Sequence, residues 1–274
     1  MIYSLGRTLL EKKITVPEAF SLMKELGVEG VDLTVQHVEG YTMAQVRSML
    51  EDMGMVVSCN IGGASLTTSD QAARTASLDA IRKVIDNAVE LGTSNVLVTT
   101  GGCAPGQEKA DARANVAAGL AELLPYARQA GVTLSIEDFG SPAAAYQTSA
   151  ECMECCDLAG PELKITYDSG NMVMSDEDPV CFWEAVKSRV VHAHAKDWEL
   201  LPSDAEARLI SRAGKRYVGT VVGSGVLDYP AIIGAMKAAN YDGFLSFEYE
   251  GTGDQVAAAR QGVGYMKRLM FGAE

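Results

Sequence analysis

Apolar and polar positions along this chain follow two alternating rhythms. Short runs such as VVSCN, VLVT, VTLSIE, LKITYD and GFLSFE put apolar side chains at every second position or in a brief unbroken block, as half-buried and fully buried strands do. Between them, apolar residues recur at spacings of three and four, the pattern of an amphipathic helix. This predicts strands at Ile2–Leu5, Val31–Leu33, Val56–Asn60, Val96–Thr99, Val132–Glu137, Leu163–Asp168, Val190–His194 and Gly243–Glu248. Helices are predicted at about Thr15–Leu26, Thr42–Met53, Ser77–Leu91, Ala110–Ala130, Ser149–Leu158, Pro179–Lys187, Tyr229–Ala239 and Val256–Met270. Local punctuation agrees: Thr15 and Glu18 form a capping box with Pro17 in the first turn, and Gly54, Gly92 and Gly131 stand where helices should stop. Strand and helix alternate with no linker or charge block between them. That order implies parallel strands joined by right-handed crossovers, which close as a single (β/α)8 TIM barrel, an α/β fold forming one domain over residues 1–274. A doubly wound open sheet is the competing arrangement.

The last four strands carry a second pattern. Side chains alternate faces along a strand, so the terminal residue shares its face with the one two before it. Those pairs are Ser135 with Glu137, Thr166 with Asp168, His192 with His194, and Ser246 with Glu248: polar in every case. The opposite faces carry Leu134, Ile136, Ile165, Tyr167, Val191, Ala193, Leu245 and Phe247, suited to packing under helices. A barrel gathers these ends around one axis, where TIM-barrel enzymes keep their chemistry; an open sheet does not. Taken singly, each residue has a plainer reading. Glu137 or Glu248 could face solvent, Asp168 could accept hydrogen bonds in the DSGN turn, and His194 could be an interior histidine. Taken jointly, three carboxylates and an imidazole on one polar interior would repel and lose hydration at several kcal/mol per ion unless a positive charge lay among them. Glu137, Asp168, His194 and Glu248 are therefore candidate ligands of one divalent cation.

Composition narrows the partners. The chain has 274 residues, 47% hydrophobic, enough for one sizeable core, and a formal net charge of -13, which opposes binding to nucleic acid or an anionic membrane. No secretory signal and no apolar run of about 18 residues is evident, so the expectation is a cytoplasmic protein, with a homo-oligomer left open. The six cysteines are dispersed and are expected as reduced thiols. Only Cys152, Cys155 and Cys156 cluster, on a predicted helix, and no second pair completes a zinc site.

The segments IEDFG, YDSGN, HAHAKD and YDGFLSFEYE, with VGSGVLDYPAII before the last of them, resemble the sugar isomerase and epimerase superfamily with the xylose-isomerase-like barrel. That superfamily includes ketose 3-epimerases, inosose isomerases and dehydratases, and endonuclease IV. The resemblance implies one Mn²⁺, Mg²⁺, Co²⁺ or Zn²⁺ ion held by Glu137, Asp168, His194 and Glu248, and a small carbohydrate substrate. It implies a metal-dependent isomerase or epimerase acting on a keto-sugar or cyclitol, in which Glu137 and Glu248 exchange a proton through a metal-bound cis-enediolate. Which glutamate begins depends on the substrate's configuration. The alternative is a dehydratase or lyase of a keto-cyclitol or 3-keto sugar on the same site, expelling a leaving group after the same abstraction. A nuclease would need more histidines than the three present, and a noncatalytic sugar-binding protein would not need both glutamates. His192, Lys196 and Asn171 are candidate substrate-binding residues, with Lys196 reading at least equally as the partner of a neighbouring carboxylate. Asn171 stands where ketose 3-epimerases carry a histidine, which counts against a ketohexose. The segment Trp198–Val222 reads equally as a lid bearing Arg208, Arg212, Lys215 and Arg216 or as a solvated excursion. Gly223-Ser224-Gly225 reads as a turn before a helix capped by Asp228, rather than as a phosphate cradle.

Overall fold

A computed structural model of the chain describes residues 13–272. The expected strand Ile2–Leu5 lies outside that range. Seven parallel strands form one sheet in the order β1 (Gly30–Leu33), β2 (Val56–Gly63), β3 (Asn95–Thr99), β4 (Thr133–Glu137), β5 (Lys164–Asp168), β6 (Val190–Ala195) and β10 (Leu245–Phe247). The sheet curls nearly closed: a Cβ placed on Gly30 of β1 would lie 2.6 Å from a ring carbon of Phe244, the residue that leads into β10. Around it run α1 (Val16–Glu25), α2 (Met43–Asp52), α3 (Gln71–Leu91), α4 (Lys109–Ala130), α5 (Ser149–Ala159), α6 (Pro179–Val186), α7 (Tyr229–Ala238) and α8 (Gln255–Phe271). The architecture is a TIM barrel.

The caps follow the sequence closely. Thr15 and Glu18 close the capping box of α1, and Gly92 and Gly131 end α3 and α4 in the left-handed conformation that glycine adopts at little cost. Helix α3 begins six residues ahead of its expected start at Ser77, because Asp70 accepts the Ala73 N–H at 2.8 Å and nucleates an earlier first turn. The outward faces of the strands, including Val31, Val96, Val98, Leu134, Ile136, Ile165, Tyr167, Ala193 and Phe247, form the main core with the helices. Cys152, Cys155 and Cys156 belong to that core on α5, where burial raises each thiol and makes it a packing group. Among the described residues no helix is long and apolar enough to cross a membrane.

Inside the barrel the two sides differ. Cys59, Ile61 and Leu97 form a small apolar cluster of their own, whereas Asp32, Ser135, Thr166, His192, His194 and Ser246 are all buried on the polar side. Register sets these neighbours: Asp168 of β5 pairs across to His194 of β6, and Ser246 of β10 pairs to the same His194 from the other side.

The segment after β6 is folded. β7 (Asp197–Leu201), β8 (Leu209–Ile210) and β9 (Arg216–Thr220) form an antiparallel sheet in the order β7-β9-β8. Trp198 anchors it, donating its indole N–H to the Gly170 carbonyl at 2.9 Å and packing with Val173, Met174 and Tyr217. A Cβ on Gly170 would fall 2.7 Å from the Lys196 carbonyl, so glycine is what lets the β5 and β6 ends approach. The glycine turn Gly223-Ser224-Gly225 is filled by the chain itself: Gly223 and Gly225 donate their N–H groups to Asp197 Oδ2 at 3.0 and 2.9 Å. Asp228 then caps α7 through the Ala231 N–H at 3.0 Å.

Candidate active site

The site is built at the carboxyl ends of β4, β5, β6 and β10. His194 is its hub. Its Nδ1 lies 2.5 Å from Glu137 Oε1, 3.5 Å from Glu248 Oε1 and 3.9 Å from Asp168 Oδ2. Glu137, Asp168 and His194 each offer a ligand atom, and those atoms all lie within 4.8 Å of one another. Two carboxylate oxygens and one imidazole nitrogen converging from different strands suit a first-row divalent cation, and Glu248 stands beside His194 outside that converging trio. Of the four residues expected to converge, Glu137, Asp168 and His194 do so, with Glu248 alongside.

Part of the charge in the cluster is met by the chain's own cations. Lys196, just past β6, puts Nζ 2.8 Å from Asp168 Oδ2 and 2.6 Å from Glu248 Oε2, with Glu250 Oε1 at 3.5 Å. Burial opposes the Lys196 charge, but Asp168, Glu248 and Glu250 more than offset it and hold the ammonium protonated well above its ordinary range. The premise that only a bound ion could neutralise these carboxylates therefore changes: Lys196 and His194 stand among them already. Asp168 divides its two oxygens. Oδ1 accepts the Gly170 and Asn171 N–H groups at 2.7 and 3.0 Å, while Oδ2 faces Lys196 and the cluster, so the turn-former and the candidate ligand are one residue.

The carboxylates are not equivalent. Burial, reinforced by Glu137 and Glu248 and opposed by Lys196, pushes Asp168 up to about 7. Burial likewise raises Glu248 despite Lys196 and His194. Glu137 goes the other way: burial is outweighed by His194 and Lys196, and its carboxyl is held below the usual range. Glu137 is also the partly exposed member, lining a cavity of about 210 Å³ with Ala64, Ser65, Leu97, Thr99 and Phe139. Tyr146, whose hydroxyl is 2.7 Å from Thr100 Oγ1, closes the far side.

Of the three expected substrate-binding residues, Lys196 lies within the cluster. Asn171 is mostly buried one turn past Asp168, with its side-chain oxygen beside Gly140. His192 is fully buried beneath His194, with Nε2 2.9 Å from Asp32 Oδ2 and 3.4 Å from Ser246 Oγ. Besides Asp197, two buried acids beside the cluster were not singled out from the sequence. Asp138, on the outward face beside Glu137, is driven well above the usual range by burial and then by Asp168 and Glu137. Asp32 of β1 accepts Ser58 Oγ at 2.5 Å on Oδ1, and its Oδ2 lies 3.2 Å from His194 Nε2. Its signal was present: in the GVDL run Asp32 has the parity opposite to Val31 and Leu33, which is the polar-face rule that marked the other four strands.

Comparison with known proteins bears on the fold and the family. An inosose dehydratase of Lacticaseibacillus casei is 30% identical over 139 residues, covering 49% of this chain and 46% of that protein, so the chain spans just under half the length of this curated relative. Among solved structures, a D-psicose 3-epimerase crystallised in the presence of D-fructose superposes with TM-score 0.74 at 18% identity over 95% of each chain. The IolI protein with a bound zinc atom gives TM-score 0.77 at 12% identity, covering 94% of this chain and 93% of that one. At such identities the likeness shows the fold. Residues 20–269 match the sequence model described as Xylose isomerase-like TIM barrel, and the chain belongs to that family.

Proposed function

We propose that the chain is a divalent-metal-dependent enzyme that removes a proton beside the carbonyl of a keto-sugar or keto-cyclitol and returns it as an isomerase or epimerase. One observation carries this reading: Glu137, the carboxylate held ionised, is the member of the charged cluster that also lines the cavity. A general base must be deprotonated and within reach of the substrate, and Glu137 meets both conditions. Glu248, raised by burial and seated against Lys196, is suited to supply the returning proton. The cation would be held by Glu137, Asp168, His194 and Glu248, and when bound it would polarise the substrate carbonyl and acidify the neighbouring C–H. Lys196 would sit beside the developing oxyanion. His192, walled off under His194, supports the site from below and does not touch substrate.

A dehydratase is the second reading, supported by the 30% identity to inosose dehydratase. Glu248, its carboxyl raised by burial, could hand a proton to a departing hydroxyl instead of to carbon. Incubation of the protein with Mn²⁺ or Co²⁺ and a panel of ketohexoses and keto-cyclitols in D₂O, followed by NMR, separates the two. Solvent deuterium at the α-carbon with a new epimer or shifted carbonyl supports the isomerase. Loss of water with an enone or enol product supports the dehydratase. No exchange with any metal and any keto-polyol would overturn both.

A further inference from the structure

Asp32 is buried inside the barrel, and nothing in the proposed chemistry uses it. It is 2% exposed, lies on β1, which approaches β10 where the sheet nearly closes, and meets three polar side chains. Oδ1 accepts the Ser58 hydroxyl; Oδ2 faces two imidazole nitrogens, His192 Nε2 at 2.9 Å and His194 Nε2 at 3.2 Å. The two rings stand edge to face with centroids 5.2 Å apart. The 2.9 Å approach of His192 is a hydrogen bond to the carboxylate, and the 3.2 Å approach of His194 Nε2 is an ion-pair contact with the same oxygen.

An imidazole binds a cation through the nitrogen that carries no proton, and the partner of its other nitrogen decides which one that is. His194 has two different surroundings: Nδ1 faces Glu137, Asp168 and Glu248, and Nε2 faces Asp32. We propose that Asp32 is the positioning residue of the site, holding the His194 proton on Nε2 so that Nδ1 is presented to the cation, with His192 and Ser58 fixing Asp32 in turn. The proposal rests on the metal-site reading above and adds a residue to it. The arrangement also orients the ring. A strand-borne histidine can rotate about its Cα–Cβ and Cβ–Cγ bonds, and a buried carboxylate behind it removes that freedom before the ion arrives. His192, on the same face of β6 one pleat below, acts as a wedge that stops Asp32 from swinging away. The same three residues, Asp32, His192 and His194, bring ligand atoms within 4.8 Å of one another, so a competing arrangement exists in which Asp32 is itself a ligand of a second ion.

The test measures metal binding, which stays separate from turnover. Asp32→Asn keeps the shape and removes the charge. Competition of Zn²⁺ or Co²⁺ against a chromophoric chelator should show affinity falling about 10- to 100-fold, the range typical of lost outer-shell partners. Ser58→Ala, which leaves the carboxylate but releases Oδ1, should weaken affinity in the same direction by less. In the zinc-loaded wild-type protein, long-range ¹H–¹⁵N correlation should show His194 coordinated through Nδ1 and protonated at Nε2. This last readout stands even if Asp32→Asn does not fold. Unchanged affinity in a folded Asp32→Asn, coordination through Nε2, or two equivalents of metal per wild-type chain would each overturn the assignment of Asp32. A wild-type chain that binds no divalent cation would instead overturn the metal-site reading on which it stands.

Discussion

The two sides of the barrel interior are built on opposite principles. The β5–β6–β10 side concentrates Asp168, His194, Lys196 and Glu248, nearly all sealed from solvent and locked in mutual ion pairs. The β2–β3 side offers Ile61, Leu97 and Cys59 below, with Ala64, Thr99 and Thr100 lining the open cavity above. Charge on one wall and open space on the other divides the labour: the packed wall can hold an ion and manage protons, and the roomy wall can accept a polyol. Glu137 at the end of β4 is the hinge between them, bonded to His194 and open to the cavity.

Disabling that hinge should have the largest effect. Glu137→Gln should lower α-proton exchange by about 10²- to 10⁴-fold while the melting temperature stays near that of the parent, measured by NMR in D₂O and by circular dichroism. Breaking the packed wall comes next. Lys196→Met leaves Asp168 and Glu248 buried without their ammonium, and the metal-free protein should lose about 3–5 kcal/mol in urea unfolding. Added Mn²⁺ should recover part of that loss if the ion takes over the charge.

A comparable effect sharpens the electrostatics of the same wall. The folded-state Asp168 carboxyl, at about 7, lies above its ordinary value of 3.8, so the folded metal-free chain binds the proton more tightly than the unfolded chain does. Its contribution to stability is present in full below the ordinary value and is lost as pH rises toward 7. Asp168→Asn should flatten that part of the stability curve by about 4 kcal/mol, read from urea midpoints between pH 4 and pH 8. The smallest effect should come from the open wall. Ala64→Leu adds bulk to the cavity lining and should raise KM about 10-fold, roughly 1.4 kcal/mol, without altering metal affinity. A change in metal binding there would mean that the walls are not independent.

Much of this was legible from alternation. The pairing of Ser135 with Glu137 and of Ser246 with Glu248 on one face could be read from the sequence because a strand's period of two does not depend on distant partners. Asp32 escaped because β1 was read as the three-residue run VDL, in which a central acid looks like a solvent-facing position; its burial comes from His192 and His194, some 160 residues away in the chain. The sheet between β7 and β9 escaped for a related reason. Asp197–Leu201 and Arg216–Thr220 are short and mixed in polarity, and what makes them strands is each other. For Lys196 the sequence leaves substrate binding and carboxylate pairing both open, and the structure gives it three carboxylate partners that no spacing along the chain discloses.

The glycine turn before α7 carries a last consequence. Backbone amides at such a turn would ordinarily welcome the terminal phosphoryl group of a phosphorylated sugar, but here Asp197 is already seated on the Gly223 and Gly225 amides, and reaches Leu227 as well. Any phosphoester arriving there would have to evict a side chain tethered next to Lys196, so the anchor that ties the antiparallel sheet to the barrel also bars that doorway to charged guests.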